Sequence, residues 1–269
     1  VGLGQVGRAL RQVVRVARGA EITYATRSAD ALFFLDGPPW AGGRPTGGTG
    51  SAAGWELLAP VEPTKIVCVG LNYRAHIAES ATVIPGGADA PGEPLIFLKP
   101  PSAVLAPGKA IVYPRGVTRL DPEAELAVVI GRRARHVSVD RAAEYVAGFT
   151  CFNDVSARNY QRQDGQWTRA KGFDTFAPLG PAVVMGLSPD GRRVECRVNG
   201  ERRQMGNTSD LLFPVPALIA YISQIMTLEP GDVIATGTPA GVAPVVPGDL
   251  IEIEVEGVGT LENFVTAAP

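Results

Sequence analysis

An α+β class weighted towards β is predicted for this chain, and three observations carry that prediction. Glycine and proline are abundant, 32 and 23 of 269 residues, which favours many turns and short strands over long helices. Most segments between those turns are short apolar runs or alternate apolar and polar residues with the two-residue period of a strand. Only residues 211–227 space their apolar side chains, Leu218, Ile219, Ile222, Ile225 and Met226, as a core-facing amphipathic helix.

Composition narrows the function classes. With 45% hydrophobic and 19% charged residues and a formal net charge of −2, the chain is globular in character and long enough to bury a substantial core. No basic excess points to nucleic acid, and the clusters Arg132, Arg133, Arg135 and Arg192, Arg193 are short enough to be solvated turns. No run approaches the ~18 apolar residues of a membrane span, and no secretory leader opens the chain. A cytoplasmic protein binding neither nucleic acid nor membrane is expected. The cysteines, Cys68, Cys151 and Cys196, are widely spaced, and the first two sit in apolar runs as buried, reduced thiols would.

Two parts are expected: residues 1–59, a small β-rich N-terminal module, and residues 60–269, the larger domain. The opening Gly2-x-Gly4-x-x-Gly7 has the spacing of a dinucleotide fingerprint. No strand feeds it, however, and no acidic residue closes a second strand about 20 residues on, so nicotinamide binding is not expected. Strand patterns follow at 12–17, 21–25 and 31–35, then a flexible Gly/Pro/Ser/Thr-rich loop over 37–54.

Residues 65–70 read as a short apolar strand, with a helix expected from Leu71. On that helix His76 and Glu79 are three apart and share a face. Such a pair is either a dyad in which the carboxylate orients the imidazole and raises its basicity, or a solvated surface pair. The small-residue run 80–93 is either a lid over a substrate or an ordinary surface loop. The strand 94–98 then ends at Lys99-Pro100-Pro101.

In Glu-Ala-Glu-Leu-Ala-Val-Val-Ile (123–130) the alternation of an extended chain puts Glu123 and Glu125 on the same side. Close like charges on a strand are unfavourable unless a cation or a shared proton relieves them. Asp154 ends the next apolar run, where a neighbouring strand would bring it alongside. Three carboxylates without Cys or His form an oxygen-only set, suited to Mg²⁺, Mn²⁺ or Ca²⁺ rather than Zn²⁺. The alternative is the solvated face of a half-buried sheet. A helix over 155–163 carries Arg158 and Gln161 on one face, and Asn199-Gly200 marks a two-residue hairpin. Neither G-x-S-x-G nor GxxxxGK[ST] occurs, which disfavours serine-hydrolase and P-loop chemistry.

These residues lie in longer motifs: IVCVGLNYRAHIAE, PLIFLKPPSAV, DPEAELAVVIG, GFTCFNDVSARNYQ, DGQWTRAKGFDTFAPLGP, NGERRQMGNTSDLLF and LEPGDVIATGTPAGV. In that order, from about Lys65 to Val265, the chain closely resembles the fumarylacetoacetate hydrolase family. The first ~60 residues look like the accessory module of a bacterial subgroup. The resemblance implies a mixed β-sandwich or roll, a homodimer and one divalent ion, Mg²⁺ or Mn²⁺, with Ca²⁺ as a stand-in in crystals. It places metal ligands at Glu123, Glu125 and Asp154, the dyad at His76 and Glu79, the active-site lysine at Lys171, and substrate contacts at Arg158, Gln161, Thr238 and Lys99. Asn159 departs from the Asp that many relatives carry after the arginine, which puts the anchoring of Arg158 in question. The implied activity is C–C hydrolysis or lysis of acylpyruvates or 2-oxo dioic acids in catabolism. Isomerisation of the 2-hydroxyhepta-2,4-diene-1,7-dioate type and oxaloacetate decarboxylation are the alternatives. A catalytically silent, small-acid-binding dimer is the reading from another class.

Overall fold

The computed structural model describes residues 10–80 and 90–269. The Gly2–Gly7 spacing and residues 81–89 of the expected lid lie outside the described residues. The first part folds as β1 (Arg11–Arg18), β2 (Glu21–Ser28), β3 (Ala31–Leu35), β4 (Pro45–Ser51) and β5 (Glu56–Leu58). The expected loop over 37–54 therefore contains a strand, in register with β3 from Ala31↔Ser51 to Leu35↔Pro45. The reason is its place at the edge of a sheet. An exposed edge strand pairs through its backbone on one side only, so it needs few apolar side chains and tolerates proline at its first residue.

The second part begins with β6 (Ile66–Gly70) and α1 (Arg74–Ser80). The helix starts later than expected because Leu71 takes a positive φ of 56°, which breaks helical continuity. There follow β7 (Leu95–Lys99), β8 (Val104–Leu105), β9 (Ala110–Tyr113), β10 (Leu120–Asp121), β11 (Ala124–Ile130) and β12 (Val146–Asn153). Next are β13 (Ser156–Ala157), α2 (Arg158–Asp164), α3 (Thr168–Lys171) and β14 (Ala177–Met185). The hairpin of β15 (Arg193–Val198) and β16 (Glu201–Asn207) turns at Asn199 and Gly200, with φ of 52° and 78°. Positive φ at both positions is what a type I′ turn demands. The helix expected over 211–227 is shorter, α4 (Val215–Ile225), because Pro214 sets its start and Met226 is already extended. β17 (Val233–Ala235), β18 (Leu250–Val255) and β19 (Gly259–Ala267) complete the chain.

Twelve strands form one sheet along β4-β3-β2-β1-β14-β12-β11-β17-β6-β7, with β5 beside β1 and β8 beside β14. Because β1 pairs with β14 from Arg11↔Met185 to Val13↔Val183, the N-terminal strands extend the main sheet rather than forming one of their own. A second sheet runs β16-β15-β18-β19-β9. Alternate residues of β11 enter two different cores. Leu126, Val128 and Ile130 pack with the second sheet and α4, while Ala127 and Val129 pack with Ile66, Cys68 and Phe152. All of β11 is buried, so the half-solvated alternative for Glu-Ala-Glu does not hold. A strand covered on both faces reads as a continuous apolar run, as AVVI does. The three cysteines are buried and free, and among the described residues no helix is long and apolar enough to cross a membrane.

Candidate active site

The site lies where one apolar face of the main sheet turns polar. On β11 that face carries Val129 and Ala127 and, two residues further back, Glu125. Antiparallel pairing of Ala124 with Asn153 and Glu125 with Phe152 brings the start of β11 to the end of β12. The Asp154 N–H then donates to the Glu123 carbonyl at 3.0 Å. Carboxylate oxygens of Glu123, Glu125 and Asp154 come within 4.8 Å of one another, all buried. The segment after β17 closes the group from the other side. Gly237 donates its N–H to Glu125 Oε2 at 2.8 Å, at a φ of 102° and with no room for a Cβ, which would lie 2.8 Å from Asn72. Thr238 Oγ1 donates to the Ala124 carbonyl at 2.9 Å and accepts from Gln204 Nε2 at 2.8 Å, while Gln204 Oε1 accepts from the Ala124 N–H at 3.0 Å. Thr238 and Gln204 thus clamp the strand that bears the carboxylates. Gln204 went unread in the sequence; its trace there is one amide on an otherwise unexceptional strand.

Buried basic side chains balance part of this charge. Lys171 Nζ donates to Glu123 Oε2 at 2.9 Å and to Asp154 Oδ2 at 2.6 Å. Arg158 donates to Asp121 Oδ2 at 2.8 Å, to Gln161 Oε1 at 2.8 Å and to Glu123 Oε1. Asn159 points elsewhere, to the Gly116 carbonyl at 3.1 Å, so the departure from Asp leaves Arg158 fully anchored. Asp121 is the anchor the sequence reading missed, although it continues the alternation of Glu123 and Glu125 by one more step. Lys99, expected at the substrate, sits behind Asp154 instead. It is 1% exposed, outside the cavity wall, and donates to Asp154 Oδ1 at 2.5 Å and to the Val155 carbonyl at 3.0 Å. Replacing Lys99 with methionine strips both acceptors of a buried donor and is expected to destabilise the fold by about 3–5 kcal/mol. A thermal or urea melt checks this, and a loss below about 1 kcal/mol would show that Lys171 alone suffices to hold Asp154.

The three carboxyls differ electrostatically. Burial works to raise the Glu123 pKa, but Lys171 and Arg158 outweigh it and hold the carboxyl below the usual range. Glu125 is pushed well above that range by burial, and Asp154 and Glu123 add to the effect. Among the described residues the only hydrogen bond to its side chain is from the Gly237 N–H, and no cationic side chain bonds to it. A buried carboxyl in that position next to two others, in a set of oxygen donors alone, fits a hard dication. Burial pulls the Lys171 ammonium down, yet Asp154 and Glu123 raise it overall, so it stays protonated.

These groups border a cavity of about 270 Å³. His76 Nδ1 lies 3.4 Å from Glu79 Oε2, which also accepts from the Gly241 N–H at 3.1 Å. The segment after β17 therefore ties the dyad to the carboxylate group. The hydrogen bond with His76 outweighs burial and holds Glu79 below the usual carboxylate range. Phe97 and Trp167 make an apolar wall, their rings edge to face at 5.1 Å. Every expected site residue except Lys99 borders this cavity.

A family model described as fumarylacetoacetate (FAA) hydrolase C-terminal matches residues 65–266, and one described as Rv2993c-like, N-terminal, matches residues 11–60. The human mitochondrial oxaloacetate tautomerase FAHD2A is 45% identical over 222 residues, covering 78% of this chain and 69% of that protein. The crystal structure of 5-carboxymethyl-2-hydroxymuconate delta-isomerase from Mycobacterium smegmatis superposes with a TM-score of 0.88 at 41% identity, covering 96% of this chain and 100% of that one. The 2-hydroxyhepta-2,4-diene-1,7-dioate isomerase of Mycobacterium marinum gives 0.87 at 38% identity, covering 96% and 98%. With the first of these family models spanning most of its length, the chain belongs to the fumarylacetoacetate hydrolase family of enzymes.

Proposed function

We propose that this protein is a divalent-metal-dependent enzyme that moves a proton on an enolisable 2-oxo acid, as an isomerase or tautomerase. The observation that carries this reading is one small cavity bordered both by the buried Glu123, Glu125 and Asp154 cluster and by the His76–Glu79 pair. A dication held by the three carboxylates would supply the positive charge that makes a proton at C3 of a 2-oxo acid removable. In the tautomer that lets His76 Nδ1–H donate to Glu79, Nε2 is the nitrogen that takes this proton and returns it to a different carbon in an isomerisation or to the 2-oxo oxygen in a tautomerisation. The electron pair of the broken C–H bond moves into the C2–C3 bond, and charge develops on the 2-oxo oxygen. Lys171, protonated and with two of its three N–H donors used on Glu123 and Asp154, offers the third to that oxygen. The isomerase and tautomerase names of similar proteins support this outcome. C–C hydrolysis of an acylpyruvate is the second reading, favoured by the same His76–Glu79 pair acting as a water-activating base.

Enol absorbance of oxaloacetate and of an acylpyruvate, followed in Mg²⁺ and then in EDTA with product identification, tests the reading. Metal-dependent loss of the enol without C–C cleavage is expected. Release of pyruvate from the acylpyruvate would move the assignment to hydrolysis, and equal rates in EDTA would remove the metal from it. His76→Ala is expected to slow the proton transfer by about 10²-fold or more, with rates close to wild type contradicting its role as base.

A further inference from the structure

We propose that Arg162, assisted by Arg119, binds a second acidic group of the substrate, so that this site selects 2-oxo dicarboxylic acids over 2-oxo monocarboxylic ones. The inference rests on the 2-oxo acid reading above and adds a specificity-determining residue to it.

On α2, Arg158, Gln161 and Arg162 stand at i, i+3 and i+4, share one helix face and all border the cavity. They form a gradient of depth. Arg158 and Gln161 are 9% and 8% exposed and engaged with each other, whereas Arg162 is exposed. Arg162 makes no hydrogen bond or ion pair with any described residue. Arg169, as exposed in the next helix, is by contrast paired with Asp164 and stacked over Tyr160 at 3.9 Å. Arg119 reaches the same cavity half-satisfied: Nε and Nη2 grip Asp121 at 2.9 and 3.0 Å, and Nη1 donates to no described residue.

The placement of charge and the size of the cavity bear on the ligand. Four basic side chains, Arg119, Arg158, Arg162 and Lys171, and five carboxylates border the cavity. A bound dication leaves that wall with a net charge of about +1, which the first carboxylate of a 2-oxo acid already meets, so it is the position of the unneutralised guanidinium at the exposed end, and not the net charge, that provides for a second carboxylate. A guanidinium is also the side chain best shaped to take a carboxylate through two parallel N–H donors. At about 270 Å³ the cavity lies just below the usual ligand-pocket range of ~300–1,000 Å³, so the diacid is small.

Calorimetry on Mn²⁺-loaded full-length protein tests this with two five-carbon probes, 2-oxoglutarate and 2-oxopentanoate, which differ in the distal carboxylate. Wild type is expected to prefer the diacid by about tenfold or more, a preference that shrinks as salt is raised. Arg162→Met is expected to remove most of that preference and Arg162→Lys to keep most of it, with melting temperatures like wild type because the side chain is exposed and unpaired. A wild-type protein without diacid preference, or an Arg162→Met protein that retains it, would overturn the inference. If neither probe binds in Mn²⁺, the 2-oxo acid reading itself fails and this inference falls with it.

Discussion

Glu125→Ala is expected to abolish metal-dependent turnover, with a loss well beyond the ~100-fold that substitutions behind the ligands of a metal cost, while leaving the fold in place. Two stability effects oppose each other at this position. Losing the carboxylate leaves the Gly237 N–H without its acceptor, at a cost of about 1–3 kcal/mol. It also removes a buried group that Asp154 and Glu123 repel. In EDTA the melting temperature should therefore shift by only a few degrees, at roughly 2–4 °C per kcal/mol for a chain of this size. The stabilisation that Mn²⁺ gives the wild type should vanish in the variant. Melts with and without Mn²⁺, alongside the enol assay, check both halves. A collapse of folding like that of a core deletion would make Glu125 a structural residue, and retained Mn²⁺ stabilisation would remove it from the ligand set.

Lys171→Met is expected to lower turnover by about 10²- to 10³-fold, the range for losing one donor to a developing oxyanion, without weakening metal binding. The sign of the second effect is diagnostic. Lys171 places a protonated ammonium 2.9 and 2.6 Å from oxygens of two carboxylates of the cluster. Removing that positive charge leaves the cluster more negative, so a dication should bind at least as tightly as in wild type. Titration with Mn²⁺, read by calorimetry, separates this from a purely structural role. If metal affinity falls in step with turnover, Lys171 orients the ligands and does not serve the substrate oxygen.

Residue by residue, what was legible in the sequence follows the range of the physics behind it. The alternation that aligned Glu123 with Glu125, the helical spacing of His76 and Glu79, and the turn at Asn199-Gly200 are consequences of backbone periods spanning a few residues, and the structure shows each. Composition could not show that β4 pairs at a sheet edge, because an edge strand is held by backbone hydrogen bonds that any residue with an N–H can make. Nor could it show that Leu71 departs from the helix, since a positive φ in a leucine is imposed by what surrounds it.

The sequence by itself determined the class of the fold and singled out the three carboxylates, the His76–Glu79 pair and Lys171, which the structure brings to one cavity, the last two through family motifs as much as through spacing. Tertiary structure alone decided what each basic side chain does. Lys99 and Asp154 are 55 residues apart, Arg158 and Asp121 37, and Gln204 and Ala124 80. Arg158 meets Asp121 where β10 pairs with β13, Gln204 reaches Ala124 from the second sheet to the main one, and Lys99 reaches Asp154 from β7, which is not a neighbour of β12 in the strand order. Strand order rests on burial and pairing summed over the whole chain, and no local period encodes it. That is why Lys99 reads as a substrate contact in the sequence and stands behind Asp154 in the fold.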